Sequence, residues 1–214
     1  MTSGKYIVIE GPDGTGKTTQ AKLLAETLQK RGHAAHYVHE PGETPMGLEL
    51  EKVIKNRKLI RDPLTDLLLF TANRLEVYNQ VIRHALDAGE IIVADRNWLS
   101  SVAYQGVAGG LGAEKIHEES KRWLPKQYME PTFTALLYVP SNQHRKMLTK
   151  RGTSEADYFE SKPDKFQQDL LRGYEAAERL MAESAQVCKR LSAGGSIADV
   201  HTRIVTALAN EKVI

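Results

Sequence analysis

Tyr6-Ile7-Val8-Ile9, followed after one residue by Gly11-Pro12-Asp13-Gly14-Thr15-Gly16-Lys17-Thr18, is the stretch that decides the fold of this chain. The first four residues form a continuous apolar run, the pattern of a strand buried on both faces. The next eight read G-x-x-x-x-G-K-[ST]. From Lys17 onward Ala21, Leu24, Ala25 and Leu28 fall at helical spacing, until Gly32 stops the helix. Strand, glycine-rich loop and helix in that order make a cradle for phosphate. The glycines let backbone N–H groups turn inward, and the positive end of the helix adds to the attraction. Lys17 is placed to reach the β- and γ-phosphates of a nucleoside triphosphate, and Thr18 offers a hydroxyl to Mg²⁺. The candidate triphosphate-binding residues are Gly11, Pro12, Asp13, Gly14, Thr15, Gly16, Lys17, Thr18 and Thr19.

Outward from the loop, apolar runs alternate with amphipathic stretches. Further strands are expected at His36–His39, Ile91–Asp95, Ala135–Val139 and near Val187–Leu191. Helices are expected at Met46–Lys55, from Asp62-Pro63 to Gly89, from Ser141 to about Arg151, at Lys165–Glu183, and from Ser196-x-x-Asp199 onward. On the long helix Leu68, Leu75, Tyr78, Ile82 and Ala85 share one face, with Phe70, Arg74, Val77 and Val81 as a neighbouring stripe. The polar segment 152–163 breaks the pattern. The implied fold is α/β: a three-layer sandwich around a central parallel sheet of about five strands, covered by helices on both faces. One domain over residues 1–214 accounts for it, since no linker divides the chain.

Composition narrows the partners. Of 214 residues 41% are hydrophobic and 26% charged, enough apolar material for one globular core. Net charge is +2 and no long Lys/Arg run occurs, which speaks against a nucleic-acid partner. No run approaches the roughly 18 apolar residues of a membrane span, and no signal-peptide core follows Met1, so no membrane partner and a cytoplasmic location are expected. The single Cys188 rules out an internal disulfide. His33, His36 and His39 straddle a helix end and a strand; they form no zinc pattern and read as surface histidines.

Ligands of such sheets bind beyond the carboxyl ends of the strands. Glu40-Pro41-Gly42 follows the second strand there, and Asp95-Arg96 the third. Phe70 and Arg74 lie one helical turn apart, and Ser101, Tyr104 and Gln105 follow in the segment after Arg96. Taken singly, Phe70 reads as core, Arg74 as half of a surface ion pair and Asp95 as a helix cap. Together they offer an aromatic plate, guanidiniums, carboxylates and an amide, a set suited to a second phosphorylated, ring-containing ligand facing the triphosphate.

In that order the residues resemble the thymidylate kinases, which transfer a phosphoryl group from ATP to dTMP. The likeness rests on residues 11–18, on Glu-Pro-Gly at 40–42, on Leu-Phe-Thr-Ala-Asn-Arg at 69–74 and on Asp-Arg-Asn-Trp-Leu-Ser-Ser-Val-Ala-Tyr-Gln-Gly at 95–106, with Gly194-Gly195-Ser196-Ile197 similar to the adenine-side loop. The resemblance implies a small lid at about 150–163, with Arg151 at its hinge near the ATP. Asp13 would accept from the 3′-hydroxyl of the deoxyribose, Phe70 would stack on thymine, and Arg74 would donate to a thymine carbonyl. Ser101 and Gln105 would complete the base and sugar contacts, with Tyr104 as the wall that disfavours ribose. Arg96 would hold the dTMP phosphate, with His39, Glu40 and Pro41 bordering the same substrate. Thr18 would serve Mg²⁺, and Asp95 would hold Mg²⁺ through water or help orient the acceptor phosphate. Lys17, Asp13, Asp95, Arg96 and Arg151 make up the expected catalytic set, and a homodimer packed through long helices is expected.

Two positions depart from the family pattern. Gly14 stands where one type of relative carries a loop arginine, which points to the type with its arginine in the lid; yet Tyr158 stands where many relatives have a basic lid residue. Arg151, Lys150, Lys162, Lys165 and Arg172 all remain open as the replacement cation. His39 stands where an arginine is usual, and Glu43 where a glycine is usual. Protonated His39 is therefore expected to add to dTMP binding below about pH 6.5. Competing readings are a kinase of another nucleoside or nucleotide, and a catalytically silent nucleotide-binding module.

Overall fold

The computed structural model describes residues 4–140, 144, 158–159, 162–184 and 186–214. The helix expected from Ser141 to Arg151 and most of segment 150–163 lie outside the described residues. The strands are β1 (Lys5–Glu10), β2 (Ala35–His39), β3 (Ile91–Asp95), β4 (Phe133–Tyr138) and β5 (Cys188–Ser192). The helices are α1 (Lys17–Lys30), α2 (Pro45–Lys55), α3 (Pro63–Val77), α4 (Arg83–Asp87), α5 (Trp98–Ser101), α6 (Ala113–Trp123), α7 (Lys126–Met129), α8 (Asp164–Glu183) and α9 (Ile197–Asn210).

The five strands form one sheet in the order β2-β3-β1-β4-β5, every pairing parallel. Strand β1 is central because its apolar run has partners on both sides and helices on both faces. Ile7 and Ile9 pack with Ala21, Leu24 and Leu28 of α1 and with Ile204 and Leu208 of α9. Tyr6 and Val8, pointing the other way, join Val77, Ile82, Trp98, Val102 and Ile116. This is the three-layer α/β sandwich expected. No helix among the described residues is long and apolar enough to cross a membrane.

Register fixes where the loops emerge. Ile9 pairs with Asp95, and His39 pairs with the same Asp95. The loop after β1, the Glu40-Pro41 segment and Asp95-Arg96 therefore leave the sheet at one level and on one edge. Two helix starts follow the sequence signals: Asp62 Oδ1 accepts from Leu64 N and Thr65 N ahead of α3, and Ser196 with Asp199 closes a capping box on α9; Thr44, whose Oγ1 accepts from Gly47 N, also caps α2.

The helix expected over 62–89 needs two corrections. A π-helical stretch at Tyr78–Ile82 separates α3 from α4 and advances the face by one residue. Leu68, placed inward by its apolar character, is 56% exposed, while Leu67 is buried. Polar neighbours set that rotation: buried Asp66 takes a bond from Arg61 Nε (2.7 Å), and buried Arg74 gives one to Glu40 (3.1 Å). A pattern of apolar against polar cannot register charged groups that turn inward as pairs.

Candidate active site

A cavity of about 430 Å³ opens at the carboxyl edge of the sheet. Asp13, Gly14 and Gly16–Thr19 border it from the β1–α1 loop, His39, Glu40 and Pro41 from the end of β2, and Asp95 and Arg96 from the end of β3. Phe70 and Arg74 enter from α3, and Tyr104 and Gln105 from a second π-helical stretch, Val102–Ala108.

Four of the expected residues stand behind this wall. Gly11, at φ +143°, sits so close to β4 that an added Cβ would lie 2.3 Å from Leu137 O. Pro12 and Thr15 brace the loop, with Thr15 Oγ1 donating to Pro12 O at 2.8 Å. Ser101 is fully buried, and its hydroxyl accepts from Arg74 Nη1 at 2.7 Å; it orients the arginine instead of bordering the cavity. Arg151 lies outside the described residues.

On the loop side, α1 begins at Gly16, in left-handed conformation (φ 83°), with no capping side chain. The unpaired N–H groups of its first turn are thus left for an anion. Lys17 is 5% exposed, and its Nζ donates to Pro12 O (2.9 Å) and lies 3.8 Å from Asp13 Oδ1. Burial, with the nearby Arg96 charge, lowers its pKa to about 8. Thr18 Oγ1 donates to Asp95 Oδ2, while Asp95 Oδ1 is buried without a hydrogen-bond partner among the described residues.

Behind the loop lies a buried charged network that local sequence does not announce. Arg96 Nη2 bonds to Asp13 Oδ1 and Tyr104 OH, and Nη1 to Ser100 Oγ (3.0 Å) and Tyr174 OH (3.1 Å). The Tyr104 hydroxyl also donates to Asp13. Beneath them Glu10, with no exposed surface, accepts from Gly11 N, Asn97 N, Ser100 N and Tyr174 OH at 2.9–3.1 Å. Glu10 closes an apolar strand and could have been noticed as a charge there. Nothing near Tyr174 marks it as a partner.

On the far side Arg74, 2% exposed, gives Nε to Glu40 Oε2, Nη1 to Ser101 and Nη2 to Asn97 O (2.8 Å). Tyr128 OH donates to both Glu40 oxygens, at 2.8 and 2.6 Å. Burial raises the Glu40 pKa to about 7, against the pull of Arg74 and Tyr128. The Phe70 ring lies 5.4 Å from the Arg74 guanidinium and 5.9 Å from the Phe159 ring. Gln105 is 2% exposed, borders the cavity, and has neither amide atom paired among the described residues. His39 Nδ1 lies 2.8 Å from Glu43 Oε2. That bond raises the His39 pKa above its ordinary value against the opposing effect of burial, so the window for a protonated His39 moves upward from the one expected. His33 and His36 are exposed, whereas His39 is half-buried at the cavity.

The described candidates for the replacement cation do not border the cavity. Lys162 Nζ lies 2.8 Å from Tyr158 OH and over the Tyr158 ring, Lys165 is exposed, and Arg172 is exposed and paired with Asp169 at 3.0 Å. Tyr158 itself is buried, with the Arg61 guanidinium 4.5 Å from its ring. Lys150 lies outside the described residues. Phe159, not foreseen as a site residue, borders the cavity.

A family model of thymidylate kinase matches residues 9–204. A thymidylate kinase from Exiguobacterium sibiricum is 32% identical over 203 residues, covering 94% of this chain and 92% of its own length. One from Synechococcus sp. (strain JA-3-3Ab) is 35% identical over 199 residues, covering 93% and 92%. A thymidylate kinase from Gluconobacter oxydans is 33% identical over 205 residues, covering 96% and 94%. The crystal structure of thymidylate kinase from Ehrlichia chaffeensis superposes with a TM-score of 0.75 over 97% of this chain and 99% of that one, at 24% identity, a likeness of fold.

Proposed function

The chain belongs to the thymidylate kinase family and transfers a phosphoryl group from ATP to dTMP, and on that premise we propose how the cavity divides between the two nucleotides. The donor phosphates take the uncapped start of α1 and Lys17; the acceptor takes the space among Phe70, Arg74, Tyr104 and Gln105. The observation that carries this division is Gln105: a buried amide with both ends unpaired, bordering the cavity beside an aromatic ring and a guanidinium. An unpaired buried amide costs free energy until a ligand satisfies it, and a pyrimidine edge supplies both a donor and an acceptor. Arg74, held by three acceptors, offers its remaining N–H groups to the same edge.

Phosphoryl transfer between two anions asks for positioning and neutralised charge. Arg96 is fixed by Asp13, Tyr104, Ser100 and Tyr174 in one orientation, suited to the acceptor phosphate. Asp13 and Tyr104 face the sugar. The nucleophile is a phosphate oxygen, already ionised at neutral pH, so no strong general base is needed. Thr18 and Asp95 fit Mg²⁺: a hydroxyl and a carboxylate meet at the loop, and one carboxylate oxygen is buried without a partner. When bound, the ion neutralises phosphate charge.

The assay that tests the reading is ADP release with ATP, Mg²⁺ and dTMP, repeated with dUMP, dCMP and dGMP. Release that depends on dTMP and falls with the other acceptors supports it; absence of dTMP-dependent ADP overturns it.

We also read the chain as a cytoplasmic homodimer of one domain, residues 1–214, with a lid at about 150–163. Exposed Met46, Val53, Leu64 and Leu68 on α2 and α3, with Leu59 and Ile60 between them, support that association. Sedimentation that gives a monomer at working concentration would overturn it.

A further inference from the structure

Among the described residues, six basic side chains border the cavity: Lys17, Lys22, His39, Lys55, Arg74 and Arg96. Five are already engaged. Arg74 is paired with Glu40, Arg96 with Asp13, Lys55 with Glu51 at 2.5 Å, and His39 with Glu43 at 2.8 Å, while Lys17 bonds to Pro12 O and lies 3.8 Å from Asp13. Lys22 has no carboxylate partner among the described residues; its ammonium lies 5.2 Å from the centroid of the Tyr37 ring.

The position of Lys22 gives that charge a direction. It stands four residues after Thr18 on α1, hence on the same helical face one turn further from the loop. The Tyr37 ring under it is parallel to the His39 ring, with centroids 6.0 Å apart and planes at 7°, as residues two apart on one strand face allow. Lys22, Tyr37 and His39 thus form one wall on the α1–β2 side, and Arg96 stands at the end of β3. The loop N–H groups and Lys17 already serve the donor phosphates.

We propose that Lys22 is a phosphate-binding residue of the acceptor subsite, meeting from the α1 side the dTMP phosphate that Arg96 meets from the β3 side. The inference rests on the dTMP kinase reading above. Most of the positive charge in the cavity is offset by the protein's own carboxylates, and a phosphate monoester brings a further charge of about −2. A flexible ammonium stacked on an aromatic face, without a carboxylate partner, is free to swing to that anion.

The test is steady-state kinetics on the full chain, with dTMP and ATP varied in turn. Lys22→Met is expected to raise the KM for dTMP about tenfold, with KM for ATP and kcat within about threefold of wild type. Lys22→Arg is expected to restore the dTMP KM to within about twofold, because the charge returns. Exposed Lys30 at the far end of α1 gives the control Lys30→Met, expected to leave all parameters unchanged. Because Lys22 is exposed, the unfolding midpoint of each variant is expected to match wild type. A Lys22→Met enzyme with wild-type KM for dTMP, or with its loss confined to ATP, overturns the inference while leaving the kinase reading in place. A wild-type chain without dTMP-dependent ADP release overturns both.

Discussion

Arg74 Nε lies 3.1 Å from Glu40 Oε2, with the two side chains 2% and 1% exposed. The pair joins α3 to the end of β2 across 34 residues of sequence and sets one wall of the cavity. Removing the carboxylate alone leaves a buried guanidinium without its counter-charge. Glu40→Gln is expected to cost about 3–5 kcal/mol in denaturant unfolding and to raise the KM for dTMP more than that for ATP. Equal loss for both substrates would show that the pair only supports the fold.

Gln105→Met keeps the approximate length of the side chain and removes both polar ends of the amide. The expected result is a rise in KM for dTMP of about tenfold, reduced preference for dTMP over other pyrimidine nucleotides, and unchanged or raised stability. Relief of an unpaired buried amide is what makes the last outcome favourable. Competition kinetics between dTMP and dCMP reads the preference directly.

The His39–Glu43 pair predicts a pH dependence whose sign follows from the pairing. Glu43 raises the His39 pKa above 6.5, and the bonds from His39 hold the Glu43 carboxyl below its usual range despite burial. A cation with a raised folded pKa contributes fully below 6.5, and that contribution is lost as pH rises through the raised value. The KM for dTMP is expected to increase with pH above 6.5 in wild type, to start increasing at lower pH in Glu43→Gln, and to stay flat between pH 6 and 8 in His39→Arg. A flat wild-type profile between about pH 6 and 8 would remove His39 from phosphate binding.

Gly173 tests how α8 is seated. A Cβ there would lie 2.5 Å from Ala103 Cα, so α8 meets the π-helical stretch of the site backbone to backbone. That approach brings the neighbouring Tyr174 within reach of Glu10 and Arg96. Gly173→Ala is expected to cost about 1–3 kcal/mol of stability and to lower kcat as Arg96 loses its brace. A variant as stable as wild type would show that α8 can shift outward freely.

Lys17→Met removes the cation that the proposed division of the cavity assigns to the donor phosphates. A fall in kcat of about 10²–10³ is expected. Chelation of Mg²⁺ by EDTA is expected to abolish turnover, and excess Mg²⁺ to restore it; retained turnover under chelation would remove Thr18 and Asp95 from metal binding.

The sequence by itself determined the loop, the strands and the helices that carry local start signals, but not α5, α6 and α7 between β3 and β4. An apolar run, a glycine-rich loop, Asp62-Pro63 and Ser196-x-x-Asp199 act within a few residues of themselves, so their signals survive when only the chain is read. The residues at the ends of β1, β2 and β3 were legible for the same reason: a strand end is a local event, and parallel register carries it to one edge of the sheet. Tertiary structure alone decided which charges are neutralised and which are free. Glu10 meets Tyr174 across 164 residues, Arg96 meets Asp13 across 83, and Tyr128 meets Glu40 across 88. Coulomb and hydrogen-bond energies depend on distance in space and on lost hydration, and neither is written in sequence separation. That is why Ser101 moved from the cavity wall to a brace, why the described candidate cations Lys162, Lys165 and Arg172 fell away from the site, and why Lys22 stands among the cavity's bases without a carboxylate partner among the described residues.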